Sequence, residues 1–161
     1  MKSYPAKQPG FYWNWLLICL IIISACGHQR SAEKRISFPS ESWPRFTILK
    51  YEFPITETER SYDILFELRS SKSFASDDLS LNMVLYTPSG EERIKEYKMP
   101  IKDKTGSFIG TFNGDTCITK LVLKRDLFCS VKGIMKLEIE NINPKMETEG
   151  VYSASLILVQ R

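Results

Sequence analysis

Apolar and polar residues alternate with a period of two over much of the chain after residue 48, which is typical of β-strands with one buried face. The clearest case has Tyr62, Ile64, Phe66 and Leu68 at every second position, which predicts that these four side chains share a core-facing side. The same pattern predicts further strands at 51–55, 79–86, 94–101, 119–124, 135–140 and 152–159.

Turn-forming residues separate these segments, at 87–90 (Thr-Pro-Ser-Gly), 103–106, 113–115 and 143–144. No segment has an apolar stripe of helical period, and 123–128 is long enough for one helical turn at most. The pattern therefore predicts an all-β fold: an antiparallel β-sandwich of about 7–8 strands, immunoglobulin-like or jelly-roll-like.

The first 25 residues follow a different pattern. Lys2 and Lys7 precede an almost continuous apolar block from Phe11 to Ala25. The block is shorter than the about 20 residues that a membrane-spanning helix needs. A basic start, a short apolar block and small residues at its end indicate an export signal.

Ile23-Ser24-Ala25-Cys26 is similar to a bacterial lipobox. The resemblance implies cleavage before Cys26, a thioether-linked diacylglycerol on its sulfur, and an acyl chain such as palmitate on the new N-terminus. A plain signal peptide with an incidental cysteine, or a short N-terminal anchor helix, are the alternatives. We expect a signal peptide at 1–25, a lipidated tether at 26–35 and a β-sandwich domain at 36–161.

Charge and cysteine content narrow the classes of function. The chain has 22 Lys and Arg against 19 Asp and Glu, and Lys2 and Lys7 lie in the predicted signal, so nothing favours a nucleic-acid partner. Once exported, Cys117 and Cys129 would lie where disulfides persist. A disulfide and two free buried thiols are both compatible with the sequence, because sequence spacing does not set the Cα separation.

Few residues are candidates for catalysis. The one histidine, His28, lies in the predicted tether, so the domain lacks an imidazole for a Ser–His or Cys–His pair. Asp77, Asp78 and Asp115 are calcium-ligand candidates or solvated loop carboxylates, and a glycosidase-type carboxylate pair is compatible with the sequence. We expect no enzyme, no metal and no cofactor beyond the lipid on Cys26.

Two residues are candidates for binding. Trp43, near Pro39 and Pro44, is either an exposed stacking platform or a packed cap over one end of the sandwich. Arg69 is either the solvated tip of the 62–68 strand or part of a binding site.

Several segments in order resemble one family. These are "FPSESW" from Phe38, "YEFPITETERSYDILFELRSS" from Tyr51, "LSLNMVLYTPSGEE" from Leu79, "GSFIG" from Gly106 and "EGVYSASLILVQ" from Glu149. Together with the lipobox, they are similar to the GldH family of gliding-motility lipoproteins from Bacteroidota. Cys117 and Cys129 are not part of that pattern.

The resemblance implies a non-enzymatic outer-membrane lipoprotein that supports gliding and type IX secretion machinery through envelope protein partners. The residues after Cys26, "GHQRSAEKR", are neutral to basic, and the resemblance then favours a periplasm-facing domain. Two other classes stay open. A membrane-anchored glycan-binding module predicts Trp43, Tyr86 and Tyr97 in one exposed concave patch, and a hydrolase requires two converging carboxylates.

Overall fold

The computed structural model describes residues 30–161, and all regular structure there is β-strand or isolated β-bridge. The predicted signal peptide and Cys26 lie outside the described residues. The strands are β1 (Ser31–Ser37), β2 (Ser42–Pro44), β3 (Ile48–Ile55), β4 (Arg60–Ser71), β5 (Asp78–Tyr86), β6 (Glu92–Pro100), β7 (Thr111–Asn113), β8 (Thr116–Cys129), β9 (Gly133–Asn141), β10 (Glu147–Glu149) and β11 (Val151–Gln160).

The strands form two main sheets, and every pairing is antiparallel. The large sheet has the order β1-β11-β4-β8-β7, and the small sheet has the order β3-β9-β5-β6. A separate ribbon of β2 and β10 closes one end. The prediction of an all-β antiparallel sandwich is confirmed. The described residues contain 11 strands rather than about 7–8, because some strands are only three residues long or mostly exposed and show no clear alternation.

One hydrophobic core lies between the two sheets. Tyr62, Ile64, Phe66 and Leu68 are all buried in it, as their period of two predicts. Burying one such large side chain contributes about 1.5–3 kcal/mol. The hydroxyl of Tyr51 on β3 donates a 3.0 Å hydrogen bond to a β11 carbonyl across this core, so its polar atom is also satisfied.

The sandwich has two distinct ends. The terminal pole contains Arg30, Arg161 and the connections at 56–59, 87–91 and 130–132. The cap pole, at the opposite end, contains the β2–β10 ribbon and the connections at 72–77, 101–110 and 142–146.

Two strands extend beyond the bounds predicted from the sequence. Ser31–Ser37, partly assigned to the tether, is strand β1, because its backbone pairs with β11 along its whole length although its side chains are mostly exposed. The strand predicted at 119–124 is part of β8, which continues to Cys129 through a point where pairing with β4 shifts register and Asp126 takes a φ of 50°. Among residues 30–161, no helix is long and apolar enough to cross a membrane.

Candidate functional site

The central strand of the large sheet carries a buried carboxylate on its outer face. Glu67 is only 4% exposed. Its carboxylate lies 3.0 Å from Arg69 Nε, 3.3 Å from Lys120 Nζ and 3.7 Å from Arg35 of β1. Arg35 also donates a 3.0 Å hydrogen bond to the hydroxyl of Ser155 on β11. Strands β1, β11, β4 and β8 therefore contribute side chains to one charged row across the sheet.

The protonation state of Glu67 follows from this row. Burial alone would raise the pKa of Glu67, but the hydrogen bonds and charges of Arg69 and Lys120 together hold its pKa below the ordinary value. Glu67 is therefore ionised at neutral pH, and the row carries more positive than negative charge.

A groove runs beside this row, toward the cap pole. We call it the Arg69 groove. It is open to solvent on one side and has a volume of about 500 Å³. Its lining residues are Glu67, Arg69, Ile109, Gly110, Thr111, Ile118, Thr119 and Lys120.

The far wall of the groove is the segment before β7, which contains two glycines, and Gly110 is the one that lines the groove. Gly106 has a φ of +81° in a turn where the Asp103 carboxylate accepts backbone N–H bonds from Thr105 and Ser107. At Gly110 a Cβ atom would lie 2.6 Å from the Ile118 carbonyl oxygen, so only glycine allows this approach to β8. The two glycines of the Gly-x-x-x-Gly segment are therefore required for different reasons: Gly106 has a positive φ, and Gly110 lies too close to β8 for a side chain.

The groove combines charged and apolar contacts. Arg69 and Lys120 present cationic groups, and the exposed Ile109 and the half-buried Ile118 add aliphatic surface. Such a surface suits an extended protein segment with carboxylates and an aliphatic side chain. Arg69 is not the strand tip, since β4 continues to Ser71.

Trp43 is not a stacking platform. It is fully buried at the cap pole, where its ring stacks on Phe38 at 5.5 Å and lies 6.3 Å from Phe66. Its indole N–H donates to the Thr47 carbonyl. Of the two alternatives, Trp43 is the packed cap, because it belongs to strand β2 and its ring packs against Phe38 and Phe66.

The other two aromatic candidates do not join Trp43 in a patch. Tyr97 lies half-buried at the side of the sandwich, and its hydroxyl donates to the Leu123 carbonyl. Tyr86 alternates with the core residues of β5 and so faces outward on the small sheet. The concave aromatic surface that a glycan-binding module requires is not formed by these three residues.

Cys117 and Cys129 are both free and buried. They lie at opposite ends of β8, paired with Ser70 and Arg60 respectively. Since a strand rises about 3.3 Å per residue, they are far beyond the about 7 Å Cα separation that a disulfide permits. The disulfide hypothesis is therefore wrong, and burial raises the pKa of the Cys129 thiol.

The loop carboxylates pair with lysines. Asp78 lies 2.9 Å from Lys98, and Asp115 lies 2.8 Å from Lys72. Within residues 30–161, no group of three or more His, Cys, Asp or Glu side chains is arranged to hold a metal ion.

Two carboxylates, Asp63 and Asp126, contact Arg161 at the terminal pole. Asp63 accepts two hydrogen bonds from Arg161 and one from the Asp126 backbone N–H. The hydrogen bonds from Arg161 hold the pKa of Asp63 below its usual range, which does not suit a general acid.

Glu67, Lys120, Ile109 and Gly110 were missed by the sequence reasoning. Glu67 could have been found from the sequence, because Glu67 and Arg69 are two positions apart and therefore share one face of the strand. The other three come from β8 and the segment before β7, and their proximity depends on strand order.

Comparison with known proteins gives a family match over most of the residues that the structure describes. The profile of the family described as GldH lipoprotein matches residues 30–156. The protein described as gliding motility lipoprotein GldH from Flavobacterium johnsoniae (strain UW101) is 23% identical over 125 residues, which is 78% of this chain and 77% of that protein.

Solved structures give a weaker likeness. The infectious bursal disease virus VP2 subviral particle aligns with a TM-score of 0.42 and 16% identity, over 83% of this chain and 33% of that chain. Dimeric latent PorU from Porphyromonas gingivalis aligns with a TM-score of 0.36 and 11% identity, over 83% of this chain and 13% of that chain. This chain spans a third or less of either protein, and similarity at this level does not indicate a shared function.

Proposed function

The chain belongs to the GldH lipoprotein family, and from this membership we propose that it supports gliding and type IX secretion machinery as an outer-membrane lipoprotein. Membership of a lipoprotein family supports a membrane-anchored place in the cell envelope. Cys26 is the proposed attachment residue, through diacylglycerol and an N-acyl chain. The proposed role is non-enzymatic and consists of contacts with envelope proteins.

The Arg69 groove is the observation that supports a role in contacts with other proteins. Its cationic excess and its aliphatic wall favour a protein segment over a small neutral ligand. The groove lies toward the cap pole, away from Arg30, where the chain enters the domain. A partner could therefore reach it without meeting the membrane.

Addition of a partner strand to a sheet edge is less supported. β6 is an edge strand of the small sheet, and it carries Arg93, Lys95, Glu96 and Lys98. Charged side chains along an edge oppose pairing with another strand.

The test is affinity purification of the lipidated protein from its native envelope, with identification of the recovered proteins. We expect gliding or secretion components with the wild-type protein, and a several-fold loss with Arg69→Ala or Ile109→Ser. Ile94→Ser is the matched control, because Ile94 is 64% exposed on β6 and outside the groove. Equal recovery by all variants, or repeated recovery of no such component, would contradict the proposal.

The proposed periplasmic orientation has its own test. Protease added to whole cells should leave the domain intact, whereas permeabilised cells should lose it. Degradation in intact cells would mean that the domain faces the outside.

A further inference from the structure

The connection from β8 to β9 exposes apolar side chains at the terminal pole. Phe128 is 60% exposed, Val131 is 45% exposed and Ile134 is 48% exposed. They lie within seven consecutive residues that contain the end of β8, the connection and the start of β9. Exposed apolar residues concentrated at one place on a domain are typical of contact sites.

Free positive charge lies beside these side chains. Lys124, Arg125 and Lys132 have no carboxylate within 4 Å among the described residues. Lys124 lies near Glu91 and Arg125 near Asp63, but these carboxylates already pair with Arg93 and Arg161. Asp126 is the one carboxylate between 124 and 134, and it lies 3.7 Å from Arg161.

The other arginines at this pole are already paired. Arg30 and Arg60 both contact Glu57, and Arg161 contacts Asp63. The unpaired cations are therefore grouped around the exposed apolar side chains. Glu59 also lies beside this stretch, because its backbone N–H donates to the Cys129 carbonyl. It has no ion-pair partner among the described residues, so the three cations outnumber this one unpaired carboxylate.

The chain's path sets how far this pole can lie from a lipid anchor. Arg30 lies at the terminal pole, where its carbonyl accepts a hydrogen bond from the Gln160 backbone N–H. Three residues lie between Cys26 and Arg30, and the four extended steps from one to the other span at most about 14 Å. With a lipid on Cys26, the terminal pole must stay close to the bilayer surface.

We propose that the segment from Phe128 to Ile134 rests on the lipid headgroups of the membrane that holds the anchor. Phe128 and Val131 enter the boundary between headgroups and acyl chains, while Lys124, Arg125 and Lys132 meet lipid phosphates. This inference rests on the proposed lipidation of Cys26. The second contact orients the domain with the Arg69 groove and the cap pole away from the bilayer.

The test uses the lipidated protein in vesicles made with brominated phospholipid, which quenches tryptophan fluorescence at short range. After signal cleavage, Trp43 is the one tryptophan of the wild-type chain, and it is buried. We expect the brominated lipid to reduce the fluorescence of the introduced tryptophan at least twofold in Phe128→Trp and almost not at all in Met146→Trp. Met146 is the matched control, because it is 68% exposed at the cap pole.

Flotation of the vesicles separates this inference from the proposed function. A protein that does not float with the vesicles contradicts the lipid anchor. A protein that floats but gives equal or no quenching at both positions overturns the membrane contact and assigns the patch to a protein partner. Val131→Trp, at the same pole, repeats the measurement if Phe128→Trp does not fold.

Discussion

The hydroxyl of Tyr97 on β6 donates a hydrogen bond to the carbonyl oxygen of Leu123 on β8. β6 is the edge of the small sheet, and at Leu123 strand β8 has no further neighbour, since β7 pairs only with its first residues. One side-chain hydrogen bond therefore joins the two sheets along their open side.

Tyr97→Phe should lower the free energy of unfolding by about 1 kcal/mol, because it leaves the Leu123 carbonyl without its partner. Burial raises the pKa of Tyr97, so its hydroxyl stabilises the fold at neutral pH and less as pH rises above about 10. Urea denaturation at neutral and alkaline pH measures both effects. Tyr86→Phe is the control at neutral pH, since that hydroxyl has no partner among the described residues; an equal loss in both variants would contradict the prediction.

Gly110→Ala should destabilise the domain by about 1–3 kcal/mol, because the new Cβ overlaps the Ile118 carbonyl and the Thr119 hydroxyl. Gly106→Ala offers a comparison, because it has open space around it and only the cost of its φ of +81°, about 1–2 kcal/mol. Thermal unfolding measures both. We also expect Gly110→Ala, but not Gly106→Ala, to weaken partner recovery through the Arg69 groove.

Glu67→Gln should lower the free energy of unfolding at pH 7 by about 1–3 kcal/mol, because Arg69 and Lys120 lose a charged acceptor. The pKa of Glu67 is lowered in the folded state, so its stabilising effect is present above the unfolded pKa of about 4.3 and is lost as pH falls. The variant should therefore lose less stability than wild type between about pH 5 and 3. Glu96→Gln, on the exposed edge strand, is the control for stability at pH 7, and an equal loss in both variants would contradict the prediction.

Asn141→Ala should cost about 2–4 kcal/mol, since the buried amide makes several hydrogen bonds at the cap pole. Its Nδ2 donates to the Trp43 carbonyl and the Thr148 hydroxyl, and its Oδ1 accepts from the Asn143 backbone N–H. Asn82→Ala is the matched control, because Asn82 Oδ1 has no hydrogen-bond partner among the described residues. Chemical denaturation should separate the two variants, and similar losses would argue against the ribbon's dependence on Asn141.

The purified protein should contain two free thiols at Cys117 and Cys129. Alkylation in denaturant without reductant should label both, and a reductant should leave the unfolding midpoint unchanged. A midpoint that falls on reduction would indicate the disulfide that the geometry excludes.

The period-of-two pattern predicted the strands that bury one face well. It succeeded for β4 and β5, whose core residues alternate without interruption. It failed for β1, where Ile36 is the one large apolar side chain and pairing with β11 alone makes the strand. It also ended the predicted strand at residue 124, because Lys124, Arg125 and Asp126 interrupt the alternation, whereas β8 continues to Cys129.

A local sequence pattern does not show which distant residues lie next to Arg69 or Cys117. Arg69 was identified as a candidate, but its partner Lys120 became visible only once β8 was known to lie beside β4. From the cysteine count, Cys117 and Cys129 were candidates for a disulfide, but they lie at opposite ends of β8 and are too far apart to form one.

By itself, the sequence determined the all-β class, the core-facing side of the main strands, the predicted export and lipidation signal, and the family. These depend on local alternation and on short motifs, which act over a few residues. Only the tertiary structure decided the strand order, the burial of Glu67 in a charged row, the Arg69 groove, and the free basic and apolar patch at the terminal pole. These depend on contacts between residues far apart in the chain, because which strands become neighbours is a property of the whole folded sandwich.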